Sequence, residues 1–186
     1  MIEAILSDMD GTLIDTEKAN ASAYCYAIAQ YGGEITPEDF QHNYAGMSWK
    51  RFLPQILPDA DSEMHKAVAE LKKSKYADFF SLTSVYQDVL DFLTHSKQFA
   101  PVGLVTTASR QAVEELLRYH QLEGFFDVII SGDDVVNAKP HAEPYLAAAN
   151  MLGVNIANCI ALEDSQVGID SATSARANVF IVKHEK

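Results

Sequence analysis

Two aspartates near the start of the chain, Asp8 and Asp10, are spaced so that they can do chemistry together. An apolar stretch leads into them, and because side chains alternate along a strand, both carboxylates leave the strand end in about the same direction. Neighbouring carboxylates repel each other unless a cation or a shared proton relieves the repulsion, and a divalent, oxygen-seeking ion such as Mg²⁺ does so. One carboxylate is then able to attack as a nucleophile while the other moves protons.

The residues after this pair favour a tight turn, because Gly11 permits a sharp bend where backbone amides can face a ligand. Two other interpretations apply to the pair taken alone. An exposed turn with two solvated aspartates is the commoner setting for such a pair. A calcium-binding loop begins with the same spacing, but its later ligand positions lack the expected oxygen ligands here, and a strand rather than a helix precedes it.

The apolar pattern divides the chain into a helical part and an alternating part. From Thr16 to about Phe80 the pattern is helical, with Thr36-Pro37 typical of a helix start. Beyond it, predicted strands alternate with predicted helices. The strands are expected at Pro101 to Val105, Phe126 to Ile130, Cys159 to Leu162 and Val179 to Val182, and the helices at Ser84 to Ser96, Ser109 to His120, His141 to Leu152 and Val167 to Ala175.

Strand and helix alternation predicts an α/β fold, a doubly wound parallel sheet of the Rossmann-like kind with an inserted all-helical domain. The expected domains are a core of residues 1–15 and 82–186 and a helical insert of residues 16–81. Doubly wound sheets bind ligands beyond the carboxyl ends of their strands, so the reactive residues are expected just after each strand.

Carboxylates, hydroxyls and one lysine follow the predicted strands. After the strands come, in chain order, Asp8 and Asp10, then Thr106, Thr107 and Ser109, then Lys139 beyond a loop with Asp133 and Asp134, and finally Glu163 and Asp164. Singly, each has an ordinary interpretation as a cap, a turn or a solvated surface residue. Together they describe a phosphate site, because acids hold Mg²⁺, hydroxyls donate to phosphoryl oxygens and lysine neutralises charge.

Composition limits the classes of protein that fit. The chain has 186 residues, 48% of them hydrophobic and 22% charged, as in an ordinary soluble globule. Its net charge of −12 argues against binding of nucleic acid or anionic membranes. We see no signal peptide and no membrane-spanning run, and Cys25 and Cys159 lack metal-like spacing, so a cytoplasmic protein with reduced thiols is expected.

Four motifs in order resemble those of the haloacid dehalogenase (HAD) superfamily, in the capped phosphatase and β-phosphoglucomutase-like subfamily. The resemblance covers essentially the whole chain. The motifs are Asp8-Met9-Asp10-Gly11-Thr12, then Thr106, then Lys139 within Lys139-Pro140-His141-Ala142-Glu143-Pro144-Tyr145, and Glu163-Asp164-Ser165.

The resemblance implies a role for each motif residue. Asp8 would attack phosphorus and form an aspartyl-phosphate, while Asp10 would protonate the leaving alcohol and then deprotonate the attacking water. The phosphate-binding residues would be Met9, Gly11, Thr12, Thr106, Thr107 and Lys139. Mg²⁺ would be held by Asp8, the main chain of Asp10, and Asp164, with Glu163 assisting. An acid at Asp10 disfavours dehalogenation, because an alcohol leaving group needs a proton.

Substrate choice would lie in the helical insert, the cap of this family. Asn20 stands where many relatives carry histidine, which counts modestly against a mutase. Residues near a substrate-facing loop are Gly46, Ser48, Lys50 and Arg51, the last two able to contact a distal anionic group. A solvated helix face is the ordinary interpretation of the same residues.

The expected function is a Mg²⁺-dependent phosphatase acting on a small phosphorylated metabolite, such as a sugar phosphate, as a monomer. A β-phosphoglucomutase-type isomerase is the alternative on the same scaffold. A phospho-acceptor signalling domain also combines acids, threonine and lysine on a parallel sheet, but a helical insert after the first strand does not fit it.

Overall fold

The computed structural model describes residues 1–184 and divides the chain into two compact units. Met1–Asp15 with Val85–Lys186 form one, here the core unit, and Thr16–Ser84 form the other, here the insert unit. The sequence places the return to the core at residue 82, and in the structure the chain returns at Val85 after a 3₁₀ helix, Tyr76–Leu82.

The secondary structure follows the predicted alternation. The strands are β1 (Ala4–Ser7), β2 (Ile14–Asp15), β3 (Ser84–Val85), β4 (Val102–Val105), β5 (Val128–Ile130), β6 (Cys159–Glu163) and β7 (Asn178–Ile181). The helices are α1 (Glu17–Ala29), α2 (Pro37–Tyr44), α3 (Trp49–Ile56), α4 (Ser62–Lys75), α5 (Gln87–Ser96), α6 (Arg110–Tyr119), α7 (Glu143–Leu152) and α8 (Gln166–Ser174).

The core unit is built on a parallel five-stranded sheet in the order β5-β4-β1-β6-β7, which confirms the predicted α/β, Rossmann-like fold. Strand β1 is central, with Ser7 in register with Leu104 on one side and Leu162 on the other. The residues of β1 and β4 are all buried, as expected for strands covered on both faces. The carboxyl ends of β4, β1 and β6 therefore lie side by side.

Local sequence determines where the core helices begin. Ser109 and Ser165 precede α6 and α8, and their hydroxyls accept hydrogen bonds from the amides of Ala112 and Gly168, at 3.4 and 3.1 Å. Each bond satisfies an amide that has no partner within its helix. The helices thus start directly after the residues that follow β4 and β6.

The predicted helix from Ser84 begins later than expected. Ser84–Val85 is instead a short strand in a two-stranded sheet with β2, and the amide of Tyr86 donates to the carbonyl of Leu13 at 2.9 Å. These backbone groups are used in strand pairing, so α5 begins at Gln87. The apolar pattern alone does not reveal pairing of such short strands.

The insert unit is a helical cluster around an aromatic centre. The Thr36 hydroxyl caps α2 by accepting from the amide of Asp39 at 3.1 Å, with Pro37 in the first turn, as the sequence predicts. The rings of Tyr24, Phe40 and Phe52 lie within 5.3 Å of one another, centre to centre. Burial of these large apolar surfaces stabilises a unit that contains no extensive sheet.

Among residues 1–184, no helix combines the length and apolar composition needed to cross a membrane. Both cysteines are free thiols, and burial raises the pKa of each to about 11. The thiols therefore stay protonated near neutral pH and pack as small apolar groups.

Candidate active site

The loop after β1 makes a tight turn that holds the two aspartates. Gly11 has φ +86°, a conformation that favours glycine, and its amide donates to the carbonyl of Ile14 at 2.8 Å. A Cβ at Gly11 would lie 2.4 Å from Oδ2 of Asp164. The amide of Gly11 is used inside the turn, and its absent side chain makes room for Asp164, while its predicted role in phosphate binding stays a prediction.

Lys139 forms hydrogen bonds with two acids, Asp8 directly after β1 and Glu163 at the end of β6. Its ammonium group donates to Oδ1 of Asp8 at 2.6 Å, to Oε1 of Glu163 at 2.5 Å and to the carbonyl of Val105 at 2.8 Å. All three donors of the ammonium are thus used, and Lys139 is 9% exposed. Lysine side chains are usually solvated, but the ammonium group of Lys139 is buried and held in place by its three acceptors.

The charges in this cluster change its protonation behaviour. Burial alone would lower the pKa of Lys139, but the charges of Asp8 and Glu163 and their hydrogen bonds outweigh burial and raise the pKa. Lys139 therefore keeps its positive charge beside Asp8 at neutral pH. Burial, followed by the charge of Asp8, raises the pKa of Glu163 and of Asp164.

Glu163 is enclosed by donors and by backbone. Its Oε1 accepts from the Tyr145 hydroxyl at 2.6 Å as well as from Lys139, and the Glu163 side chain is fully buried. On the other side, a Cβ at Gly168 would lie only 1.9 Å from Oε2 of Glu163, so α8 approaches the carboxylate as closely as a glycine permits. This carboxylate has little freedom to move.

The threonines are placed by hydrogen bonds to the other two acids. The Thr106 hydroxyl donates to Oδ2 of Asp10 at 3.3 Å, and the buried Thr12 hydroxyl donates to Oδ1 of Asp164 at 3.0 Å. The Thr12 side chain thus orients an acid, and its predicted role in phosphate binding stays a prediction. The Met9 side chain is 1% exposed and packs in the core, which leaves only its backbone for a ligand.

Thr107 lies beside the loop that follows β5. It is exposed, and a Cβ at Gly132 would lie 2.5 Å from the Thr107 carbonyl oxygen. The amide of Gly132 also donates to the carbonyl of Ala108 at 2.7 Å, so these two loops are held together.

Three acids are close enough to hold one cation. Asp8, Glu163 and Asp164 each offer an oxygen, and these oxygens lie within 4.8 Å of one another. An all-carboxylate donor set matches a hard cation that prefers oxygen, such as Mg²⁺, rather than a metal that prefers sulfur or nitrogen. Burial, followed by the negative charge of Asp8, raises the pKa of Asp164, and a bound cation would favour its deprotonated form.

The remaining predicted residues belong to the insert unit. Asn20 donates to the Thr16 hydroxyl at 3.3 Å and accepts from the Lys72 ammonium at 2.7 Å. Exposed residues at or near the start of α3 complete the set, namely Gly46, Ser48, Lys50 and Arg51.

Sequence reasoning assigns no role to Tyr145 and Gly168, although both contact Glu163. Tyr145 stands six residues after Lys139 within the quoted motif, and that proximity in sequence was the available signal. Gly168 carries no comparable signal, because a glycine three residues after a helix cap has no particular meaning without the fold.

The family model of the haloacid dehalogenase-like hydrolases matches residues 5–182, nearly the whole chain. The protein belongs to this family. The resemblance drawn from the four motifs is thereby confirmed.

Relatives from several organisms match over most of their length. The phosphorylated carbohydrates phosphatase of Thermotoga maritima is 33% identical over 179 residues, which cover 94% of this chain and 82% of that protein. The β-phosphoglucomutase structure from Clostridium difficile has a TM-score of 0.79 at 29% identity, covering 99% of this chain and 86% of that one. The structure of CbbY from Rhodobacter sphaeroides with xylulose-1,5-bisphosphate has a TM-score of 0.84 at 26% identity, covering 100% and 88%.

Family membership and the phosphatases among the relatives confirm the predicted enzyme class, a phosphoric monoester hydrolase of the HAD family.

Proposed function

We propose that this HAD hydrolase is a Mg²⁺-dependent phosphatase of sugar phosphates or similar small metabolites, acting through an aspartyl-phosphate on Asp8. The observation that carries the proposal is the contact of the Lys139 ammonium with Oδ1 of Asp8 at 2.6 Å, inside a cluster of carboxylates. A nucleophilic carboxylate beside a fixed positive charge is what transfer of an anionic phosphoryl group requires.

The proposed reaction has two steps, both centred on Asp8. An oxygen of Asp8 attacks phosphorus, the bond from phosphorus to the ester oxygen breaks, and Asp10 gives its proton to the departing alcohol. Water then attacks the phosphorus of the aspartyl-phosphate and gives a proton to Asp10. The bond from phosphorus to Asp8 breaks, which releases phosphate and restores both aspartates.

Neighbouring side chains orient these groups. The Thr106 hydroxyl donates its one hydrogen to Oδ2 of Asp10 at 3.3 Å and so holds this carboxyl group, and in the substrate complex it would donate to a phosphoryl oxygen instead. Lys139 donates a hydrogen bond to the other aspartate, Asp8, and its positive charge balances the negative charge of the phosphoryl group. Positioning of this kind accounts for much of the rate in phosphoryl transfer.

Mg²⁺ would be held by Asp8, by the main-chain carbonyl of Asp10 and by Asp164, with Glu163 behind them. When bound, it supplies positive charge that orients the substrate and reduces repulsion between phosphate and carboxylates. The Thr12 hydroxyl at 3.0 Å from Asp164 keeps this carboxylate turned toward the site.

Relatives support a carbohydrate phosphate as the substrate class. The Thermotoga protein is named for phosphorylated carbohydrates, and CbbY was solved with a sugar bisphosphate. A proton donor at Asp10 suits an alcohol leaving group such as a sugar hydroxyl.

The proposal is tested by phosphate release from a panel of phosphorylated sugars and other metabolites, with Mg²⁺ and with excess EDTA. We expect release from some members with Mg²⁺ and none with EDTA. Asp8→Asn should reduce turnover by about 1,000-fold or more, because the nucleophile is lost. Asp88→Asn, the same change at an exposed position of α5, should retain full turnover. Full turnover by Asp8→Asn would contradict the proposal.

A mutase remains the second candidate, because the β-phosphoglucomutase structure superimposes closely on this chain. It predicts that the aspartyl-phosphate resists water and passes its phosphoryl group to a sugar phosphate. The resemblance to the family places histidine at the position of Asn20 in many members, and its absence here counts modestly against a mutase. Exchange of labelled phosphate between sugar phosphates without net release would favour the mutase.

A further inference from the structure

We infer that Tyr145 is a positioning residue for this active site: its hydroxyl fixes the Glu163 carboxylate so that Lys139 stays on Asp8. The inference rests on the proposed phosphatase function and adds a residue to it. Tyr145 lies on α7 and would not touch the substrate, since it is fully buried.

The hydroxyl and the lysine share one acceptor atom. Oε1 of Glu163 accepts from the Tyr145 hydroxyl at 2.6 Å and from Lys139 at 2.5 Å, while the same ammonium donates to Asp8 at 2.6 Å. Lys139 therefore bonds Glu163 and Asp8 at the same time through separate N–H groups, so the position of its ammonium depends on where the Glu163 carboxylate is held. A second donor on Oε1 holds the Glu163 carboxylate in place, which keeps the Lys139 ammonium within hydrogen-bond distance of Asp8.

Within residues 1–184, the Tyr145 hydroxyl and the Lys139 ammonium are the two donors to Oε1 of Glu163. On its second oxygen, the Ser165 hydroxyl lies at 3.4 Å, a weak contact. The backbone of α8 closes the same side at Gly168, where a Cβ would lie 1.9 Å from Oε2 of Glu163. Without the Tyr145 hydroxyl, Lys139 would be the one strong donor left to the Glu163 carboxylate among the described residues, and a shift of that carboxylate would move the ammonium away from Asp8.

The ring of Tyr145 has a separate contact from its hydroxyl. Its centre lies 5.2 Å from the Lys139 ammonium, and the ring packs in the core cluster with residues such as Leu6 and Val105. Tyr145→Phe keeps the ring and removes only the hydroxyl, so it isolates the hydrogen bond to Glu163 from the packing.

Tyr145→Phe should lower kcat about ten-fold, in the range usual for partners that orient catalytic groups, and leave KM within about two-fold. The control is Ser96→Ala in α5, which removes another buried hydroxyl, one that donates to the carbonyl of Phe92 at 2.8 Å. This control should match Tyr145→Phe in its loss of thermal stability and keep wild-type kcat. Equal kcat values for the two variants would overturn the inference.

The route through Glu163 is tested by a double-mutant cycle with Glu163→Gln. If Tyr145 acts through this carboxylate, removal of the hydroxyl in the Glu163→Gln protein should change kcat by less than about two-fold. The same ten-fold loss in both backgrounds would overturn the inference. A wild-type protein that releases no phosphate would contradict the proposed function, whereas an active wild type with an unaffected Tyr145→Phe would contradict this inference alone.

Discussion

The core unit and the insert unit bury different kinds of side chain. Among the residues that the structure describes, the buried aspartate, glutamate and lysine side chains all belong to the core unit, namely Asp8, Lys139 and Glu163. The insert unit buries Thr16 and His65 as its polar residues, and His65 is satisfied by the carbonyl of Leu57 at 3.0 Å. Its centre is otherwise aromatic and aliphatic.

The buried charges of the core unit indicate that its interior is arranged for chemistry as well as for stability. Burying a charge is costly unless partners surround it, so a core that buries three of them has been shaped by something other than packing. The centre of the insert unit is apolar and holds, among the described residues, no buried aspartate, glutamate or lysine side chain. We therefore expect the core unit to be sensitive to single polar changes and the insert unit to tolerate them.

The largest effect is expected from Lys139→Met. Its loss leaves Asp8 and Glu163 buried without their cation, which should lower the free energy of unfolding by about 3 to 5 kcal/mol and abolish activity. Lys73→Met in the insert unit removes an exposed ion pair with Glu70 and should change the free energy of unfolding by less than about 0.5 kcal/mol. Urea denaturation of both variants measures the contrast, and equal losses would contradict it.

A pair of glycines gives a matched comparison between the units. Gly11 and Gly32 have φ values of +86° and +82°, so alanine is strained by about 1 to 2 kcal/mol at either position. Only at Gly11 would the new Cβ also meet Asp164, whereas nothing lies within 4 Å at Gly32. We expect both variants to lose similar backbone stability in thermal unfolding, and Gly11→Ala alone to lose turnover; an active Gly11→Ala would show that Asp164 can move.

Stability of the core unit should depend on pH and Mg²⁺ together. Burial raises the folded-state pKa of Glu163 from 4.5 to about 7 and also raises that of Asp164, so the folded state binds protons more tightly than the unfolded chain. The metal-free protein should therefore lose stability as pH rises from about 4.5 through about 7.

Mg²⁺ should reverse that loss, because it binds the deprotonated carboxylates. At about 100 times its Kd, it should raise the melting temperature by about 5 to 10 °C at pH 8 and by less at pH 5. Differential scanning calorimetry with and without Mg²⁺ measures this, with Asp164→Asn as the control that should respond weakly. An equal response at both pH values would contradict the assignment of the acids to the metal.

The smallest effects are expected at the exposed residues Lys50 and Arg51 of the insert unit. Replacing either by alanine should change the free energy of unfolding by less than about 0.5 kcal/mol. If they contact a distal anionic group, KM for sugar bisphosphates should rise up to about five-fold, with no change for a monophosphate. Steady-state kinetics on the two substrates distinguishes a contact from a solvated helix face.

The sequence predicted the parts of the molecule that depend on short-range patterns. Strand and helix alternation, the cap at Thr36 and the order of the motif residues all follow from residues close together in the chain, and the sheet and the family confirm them. The short pairing of β2 with β3 was missed, because two-residue strands carry no periodic signal.

The sequence by itself determined which chemical groups lie at the carboxyl edge of the sheet, because each motif directly follows a predicted strand or its loop. Only the tertiary structure decided which of these side chains form hydrogen bonds with one another. Lys139 meets Asp8 across 131 positions and Thr12 meets Asp164 across 152, and Tyr145 joins them through Glu163. Such contacts depend on how α7 and α8 pack against the strands, and packing between distant segments is not encoded in any local pattern of residues.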